Sequence, residues 1–303
     1  VSPPISGSEE FFYAGDKGSV KHPVTDKELP PRPLWGEAKL SEDIIDPRDA
    51  LAEWMTSPDN AQFAQVMANR VWADMMGRGL VEPVDDFRAT NPATNQPLLD
   101  ALGVHFRDTG FSLTELVRAV ANSHVYQLSS TPNSDNVADT RNYSRHYRHR
   151  LRAEVLADAF GQIAGVAQSY DAMPKGTQAK QIWTHRTTSL FLDTFGRPDP
   201  NQDPPCERTT DSTVVQSLHL MNSEQMHADV INGTGNAAKL AESTKEPTEV
   251  AAALYHLVFG RSPDKIETEL VVELLTAESA NRKQVIEDLM WAMLNSAEFV
   301  FQD

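Results

Sequence analysis

The sequence predicts a mainly α protein: an irregular helical body over 48–303, an extended N-terminal arm over 1–47, and room for a few short strands. Three observations carry this. Apolar residues recur at helical spacing in segment after segment beyond Asp46. Helix start and stop residues stand at the junctions between those segments. The first 47 residues, by contrast, hold seven prolines and few periodic apolar positions, and proline removes a backbone donor and fixes φ.

The elements follow in order. The arm is expected to be extended, with a short strand near Phe11-Phe12-Tyr13, and its aromatics (Phe11, Phe12, Tyr13, Trp35) to lie across the body. Asp46-Pro47 supplies an N-cap and a proline at the first helical position, with Leu51, Trp54 and Met55 as the apolar stripe and Pro58 as the end. A second helix runs from Ala61 to Met76, closed by Gly77. Pro97 opens a third through Phe106. After Gly110, Ser112 caps a fourth, with Glu115 at the capping-box position.

Polar, turn-rich residues 129–142 mark a boundary between two lobes. Helix resumes near Leu151 to Val166, and Met173 to Ser189 reads as irregular or β. A Pro-, Asp- and Arg-dense loop follows. Helices over 212–230, 236–242, 247–259 and 264–301, the last broken near Ser279, complete the chain.

The stretch Leu113 to Tyr126 aligns without gaps on Ile286 to Phe299, and a Gly-Arg pair precedes each, at Gly77-Arg78 and Gly260-Arg261. Two helical units of similar construction would produce this pattern. Two unrelated amphipathic helices ending alike would produce it too.

Composition limits the function. A net charge of −16 opposes a nucleic-acid backbone, so no nucleic-acid partner is expected. No apolar run approaches the roughly 20 residues of a membrane span. The chain begins at Val1, which reads as a piece from which any targeting segment has been removed. A basic cluster over Arg141–Arg152 reads as the first half of a helix paired with nearby acids, or as a small anion site. The single cysteine cannot form an internal disulfide.

Functional residues are sought first in the loop Phe195-Gly196-Arg197-Pro198 … Cys206-Glu207-Arg208, because loops carry function more often than packed elements. Cys206 beside Arg208 could be an activated nucleophile, with His219 as its base; a buried thiol beside a structural Glu-Arg pair explains the same residues. Asp199, Asn201 and Asp203 alternate like the first ligands of a calcium loop, but Pro204 stands where the sharp turn is needed and no glutamate occupies the twelfth place. They remain weak metal candidates, with no metal assigned. His146 and His149 sit three apart, and His219 and His227 eight apart, which is not zinc-protease spacing.

Asn69, Arg70, Trp72, Asp86 and Arg88 form a polar and aromatic cluster beside a Gly-rich turn. With Arg197, these are the candidate binding residues. The cluster is compatible with a glycan surface, while helix capping and Arg-Asp bracing explain the same residues without any ligand and are the preferred reading. Gly-x-Gly-x-x-Gly, Walker and Gly-x-Ser-x-Gly patterns are all missing from the sequence.

Several segments together resemble a known family: Ala68-Asn69-Arg70-Val71-Trp72, Gly77-Arg78-Gly79-Leu80-Val81, Asp85-Asp86-Phe87, Leu98-Leu99-Asp100, Tyr126-Gln127-Leu128-Ser129-Ser130, Arg150-Leu151-Arg152-Ala153-Glu154, and the Phe-Gly-Arg-Pro … Cys-Glu-Arg loop. The family is the planctomycete-specific domain one, of unknown function. The resemblance covers nearly the whole chain. It implies an extracytoplasmic setting, periplasmic or at the cell surface, and association with other domains of the same or a larger protein, among them a c-type cytochrome module. Haem is thus implied only for an upstream module; this chain has no Cys-x-x-Cys-His and is expected to carry no cofactor of its own. Relatives often show Cys-x-Cys-Glu-Arg where this chain has Pro204-Pro205-Cys206-Glu207-Arg208, so a cysteine-pair site is unavailable to it. Two functions are therefore open: a binding or docking module of cytochrome-associated surface machinery, or an enzyme acting on polysaccharide or oligosaccharide, with or without a metal.

Overall fold

The computed structural model describes residues 20–30, 32–36, 46–171, 173–183, 187–198 and 212–302, and among them the protein is mainly α, with 13 helices and four two-residue strands. The expected strand near Phe11 lies outside the described residues, as do Cys206, Glu207, Arg208, Asp199, Asn201 and Asp203. The chain divides into two compact units. One runs through Leu128 and takes in Asn136–Ser144; the other holds Ser129–Asp135 and everything from Arg145 onward.

In the first unit, β1 (Val20–Lys21) and β2 (Glu28–Leu29) form an exposed antiparallel ladder. Helix α1 (Pro47–Met55) starts on the Asp46 cap, whose carboxylate accepts from the Arg48 amide. Trp35 reaches it: its carbonyl accepts from Trp54 Nε1 at 3.1 Å and the two rings meet edge-on at 4.8 Å.

Helices α2 (Ala61–Met76), α3 (Gln96–Asp108) and α4 (Leu113–Ala121) each pack on the other two. Their buried faces, including Ala68, Trp72, Met76, Leu99, Phe106, Leu116 and Val120, make this unit's core. Ser112 caps α4 by accepting from the Glu115 amide. Each large side chain so buried contributes roughly 1.5–3 kcal/mol before entropy is counted.

The basic stretch over 141–152, expected to begin a helix, forms none before Ala153. Residues 141–148 are irregular, and in the second unit β3 (His149–Arg150) pairs antiparallel with β4 (Phe301–Gln302). Helix α5 (Ala153–Ala164) is the hub, contacting a 3₁₀ turn at Ala179–Gln181, α6 (Leu190–Thr194), and two later helices. The short α6 has no counterpart in the sequence reading; five residues show no period.

The expected single helix over 212–230 is two, α7 (Val214–Asn222) and α8 (Glu224–Val230). Ser223, at φ −70° and ψ 109°, ends the first and caps the second by accepting from the Met226 amide. A side-chain cap can compete with helix continuation, and the apolar spacing did not reveal it.

Helices α9 (Asn236–Glu242), α10 (Pro247–Val258), α11 (Lys265–Thr276), α12 (Arg282–Leu294) and α13 (Ala297–Val300) follow. The α10–α11–α12 set repeats the mutual packing of α2–α3–α4.

The repeated segments also end in the same chemistry. Asn122 Nδ2 donates to the Arg118 carbonyl at 2.9 Å, and Asn295 Nδ2 to that of Trp291 at 2.8 Å. Ser123 and Ser296 each donate to the carbonyl three residues back, at 2.6 and 2.7 Å, and accept from the amide of Tyr126 or Phe299. The halves then diverge. Ile286 and Met290 are fully buried on α12, which packs against α8 and α9, while the matching Leu113 and Val117 of α4 are exposed.

Candidate functional site

The sequence points to the residues around 195–221, and the second unit has a cleft of about 220 Å³ there. Its near wall is α7. The floor and far wall come from Phe195, Arg150, and the α12–α13 junction with β4. Phe195 and Ser212 are the cleft residues nearest in sequence to 199–211, the stretch that carries Cys206.

Local sequence builds each wall. Thr213 and Gln216 form a reciprocal cap at the start of α7: the Gln216 amide donates to Thr213 Oγ1 at 3.3 Å and the Thr213 amide to Gln216 Oε1 at 3.2 Å. Buried Gln216 then donates through Nε2 to the Thr194 carbonyl at 3.1 Å, pinning α7 to the end of α6. Phe195 is buried and stacks on Phe191 with centroids 4.6 Å apart.

The Arg150 guanidinium lies 5.5 Å from the Phe195 centroid, held by the pairing of Arg150 with Phe301 across β3 and β4. Burial lowers the Arg150 pKa, yet guanidinium stays charged at neutral pH. Asn295 and Ser296 spend their donors on helix carbonyls, and Asn295 Oδ1 is buried with no hydrogen-bond partner. Among the described residues, the lining thus combines one cation with hydroxyls, amides and a largely apolar surface, and includes no carboxylate.

Helix α7 has a second side. Val214, Val215, Leu218 and Met221 are between 52 % and 74 % exposed, and no residue from 214 to 222 is an Asp, Glu, Lys or Arg. Positions 214, 218 and 221 fall on one helical face, and Met221 also lines the cleft. His219, on the same helix, sits edge-on to Phe191 and Phe195 at 5.7 and 6.1 Å. Burial lowers its pKa from the ordinary imidazole value and so favours the neutral ring.

A roomier hollow of about 350 Å³ lies between α8 and α12, lined by His227, Ile231, Asn281, Lys283, Gln284, Glu287 and Asp288. Two of its polar groups are engaged in structure: Asn281 Oδ1 accepts from the Lys283 and Gln284 amides, and Lys283 stands 3.7 Å from Glu287, whose Oε1 is buried without a hydrogen-bond partner. His227 meets Trp291 edge-on at 5.6 Å. The smaller cleft is the better candidate, since ligand sites combine apolar walls with a few convergent polar groups.

The remaining predicted residues lie elsewhere. Asn69 is fully buried: its Nδ2 donates to the carbonyls of Val81 and Val84 at 2.9 and 2.8 Å, and its Oδ1 accepts from the Val81 amide at 3.0 Å. Gly79 completes that close approach, since a Cβ there would collide with the Val81 carbonyl oxygen. Arg70 is bidentate to Asp85 at 2.8 Å for both bonds, and Arg88 pairs with Asp86 at 2.8 Å. Trp72 is buried edge-on to Tyr143 at 5.3 Å. Arg197 donates to Asp193 at 2.6 Å and to the Thr187 carbonyl at 3.0 Å. His146 and His149 have ring centroids 5.8 Å apart. Among the described residues no three of His, Cys, Asp and Glu are grouped to hold a metal.

Sequence reasoning missed Arg150 as a cleft residue, and with it Asn295 and the apolar face of α7. The uncharged run Val214 to Asn222 was the available signal, since an exposed helix ordinarily carries charge.

The molecule so described is a mainly α protein with a partly apolar cleft walled by an uncharged helix. It belongs to the family PSD1, described as a protein of unknown function (DUF1553), which matches residues 47–275. No curated protein and no solved structure matches the chain. No helix among the described residues is long and apolar enough to cross a membrane.

Proposed function

We propose that this chain is a docking module whose binding site is the α7 cleft together with the exposed apolar face of α7. The carrying observation is that uncharged face. Four large apolar side chains on one short helix lie open to solvent beside a cleft sized for one or two side chains. Depletion of charge and enrichment in Met mark the centre of protein interfaces, and contiguous exposed apolar patches mark binding sites. The Arg150 guanidinium and the cleft hydroxyls would orient a polar tip on an inserted side chain. The setting, extracytoplasmic and beside a c-type cytochrome module, is part of the proposal and is supported by the family resemblance alone.

The test is a nuclear magnetic resonance screen of the labelled chain against short apolar peptides and, separately, oligosaccharides. Peptides should shift the α7 amides, and Leu218→Asp should weaken that binding at least tenfold without changing the melting temperature. Turnover of an oligosaccharide, or peptide binding indifferent to Leu218→Asp, would refute the reading.

A further inference from the structure

A second surface, independent of the α7 cleft, lies on α11. This helix packs on α10 and α12, with Val271 buried and Leu275 packed against the core of this unit. On its outer side Ile266, Leu270 and Leu274 are 76 %, 52 % and 40 % exposed. Their spacing of four places them in one row along the helix. Glu269 and Glu273, both exposed, form a parallel row on the flank of that strip. At 100° per residue they fall about 60–100° from Leu270 on the wheel. Lys265 lies 3.8 Å from Glu269 at the N-terminal end, Glu273 is exposed in the C-terminal half, and Glu278 follows just past the helix end.

We infer that α11 docks a cationic amphipathic helix of a partner protein. An apolar row beside an acidic row is matched by a helix carrying an apolar row flanked by Lys or Arg, the pairing that fixes partner choice in two-helix contacts. A second copy of this chain fits poorly. It would bring Glu269 and Glu273 towards the same acids within a Debye length, on a protein of net charge −16. Three apolar residues a side also fall far short of the roughly 20 residues a side of a stable dimer. The surface therefore serves a modest, salt-sensitive contact with a partner of opposite charge.

The experiment titrates the intact chain with a synthetic 18-residue helix of Leu and Lys in the matching pattern, and with the same peptide carrying Glu for each Lys. The cationic peptide should bind. Its affinity should fall at least tenfold with Leu270→Ser, at least tenfold with Glu273→Lys, and not at all with Leu113→Ser on α4, an exposed leucine outside both surfaces. Raising salt from 0.05 to 0.5 M should weaken it several-fold, and the anionic peptide should not bind. Glu273→Lys leaves the apolar row intact, so it repeats the test by charge alone should Leu270→Ser lower the melting temperature. Cationic-peptide binding that ignores both α11 variants would reduce the effect to bulk charge attraction and overturn the proposal. So would equal binding of the anionic peptide, or a dimer in sedimentation that Leu270→Ser dissolves.

Discussion

Replacing Asn69 by Ala separates bracing from recognition in the first unit. Asn69 makes three hydrogen bonds to the backbone of the 79–84 turn from a fully buried position. Truncation removes all three and orphans the amide and carbonyl of Val81, itself buried. At about 1 kcal/mol net per hydrogen bond, and 1–3 kcal/mol for a buried group left unpaired, the loss should be about 4 kcal/mol. A domain near this size shifts by roughly 3 °C per kcal/mol, so melting should fall by about 10 °C. The control is the adjacent residue. Arg70→Ala breaks an ion pair whose partners are 47 % and 57 % exposed, worth about 0.5 kcal/mol and a shift of roughly 2 °C or less. Calorimetry gives the two shifts, and hydrogen exchange should show faster opening at residues 79–84 in the Asn69 variant alone. An Asn69→Ala protein that melts within 2 °C of the parent, or an Arg70→Ala protein that loses more, would refute this reasoning.

Two further outcomes follow from local chemistry. Arg261 donates to Glu267 and Glu298, and the Glu267 carboxyl is lowered from 4.5 to about 2, chiefly by the Arg261 hydrogen bonds. A carboxyl depressed in the folded state stabilises above its unfolded pKa, and that contribution disappears as pH falls from about 4.5 towards 2. Glu267→Gln should therefore flatten the fall of urea midpoint with pH across that window while leaving its pH 7–8 slope unchanged. At the end of α5, Asn236 Nδ2 donates to the Gln162 and Ile163 carbonyls at 3.1 Å each, while Gly165 adopts φ +73° with its missing Cβ 2.7 Å from Asn236 Oδ1. Gly165→Ala and Asn236→Ala should each cost about 1–2 kcal/mol. The double variant should cost less than their sum, because Asn236→Ala removes the two closest contacts, Oδ1 and Cγ, and leaves only the backbone nitrogen at 3.0 Å; strict additivity in chemical denaturation would exclude that coupling.

Local order in the sequence settled the helices that carry period and punctuation. Helices α1 to α4, α9 and α10 were legible in type and near their ends, and for the first four Asp46, Gly77, Pro97 and Ser112 impose starts and stops on the backbone within one turn. The family was legible too, from motif wording spread along the chain. Tertiary structure decided the rest. Whether Ser223 continues a helix or caps a new one depended on competition between two local bonds that spacing does not register. The pairing of Arg150 with Phe301 joins positions about 150 residues apart, beyond the reach of any local pattern. The repeated helices show the division most plainly. Their terminal Asn-Ser chemistry is written in the sequence and identical in both halves, yet Ile286 is buried and Leu113 is exposed. Burial depends on what packs against a face, and only the folded chain supplies that neighbour.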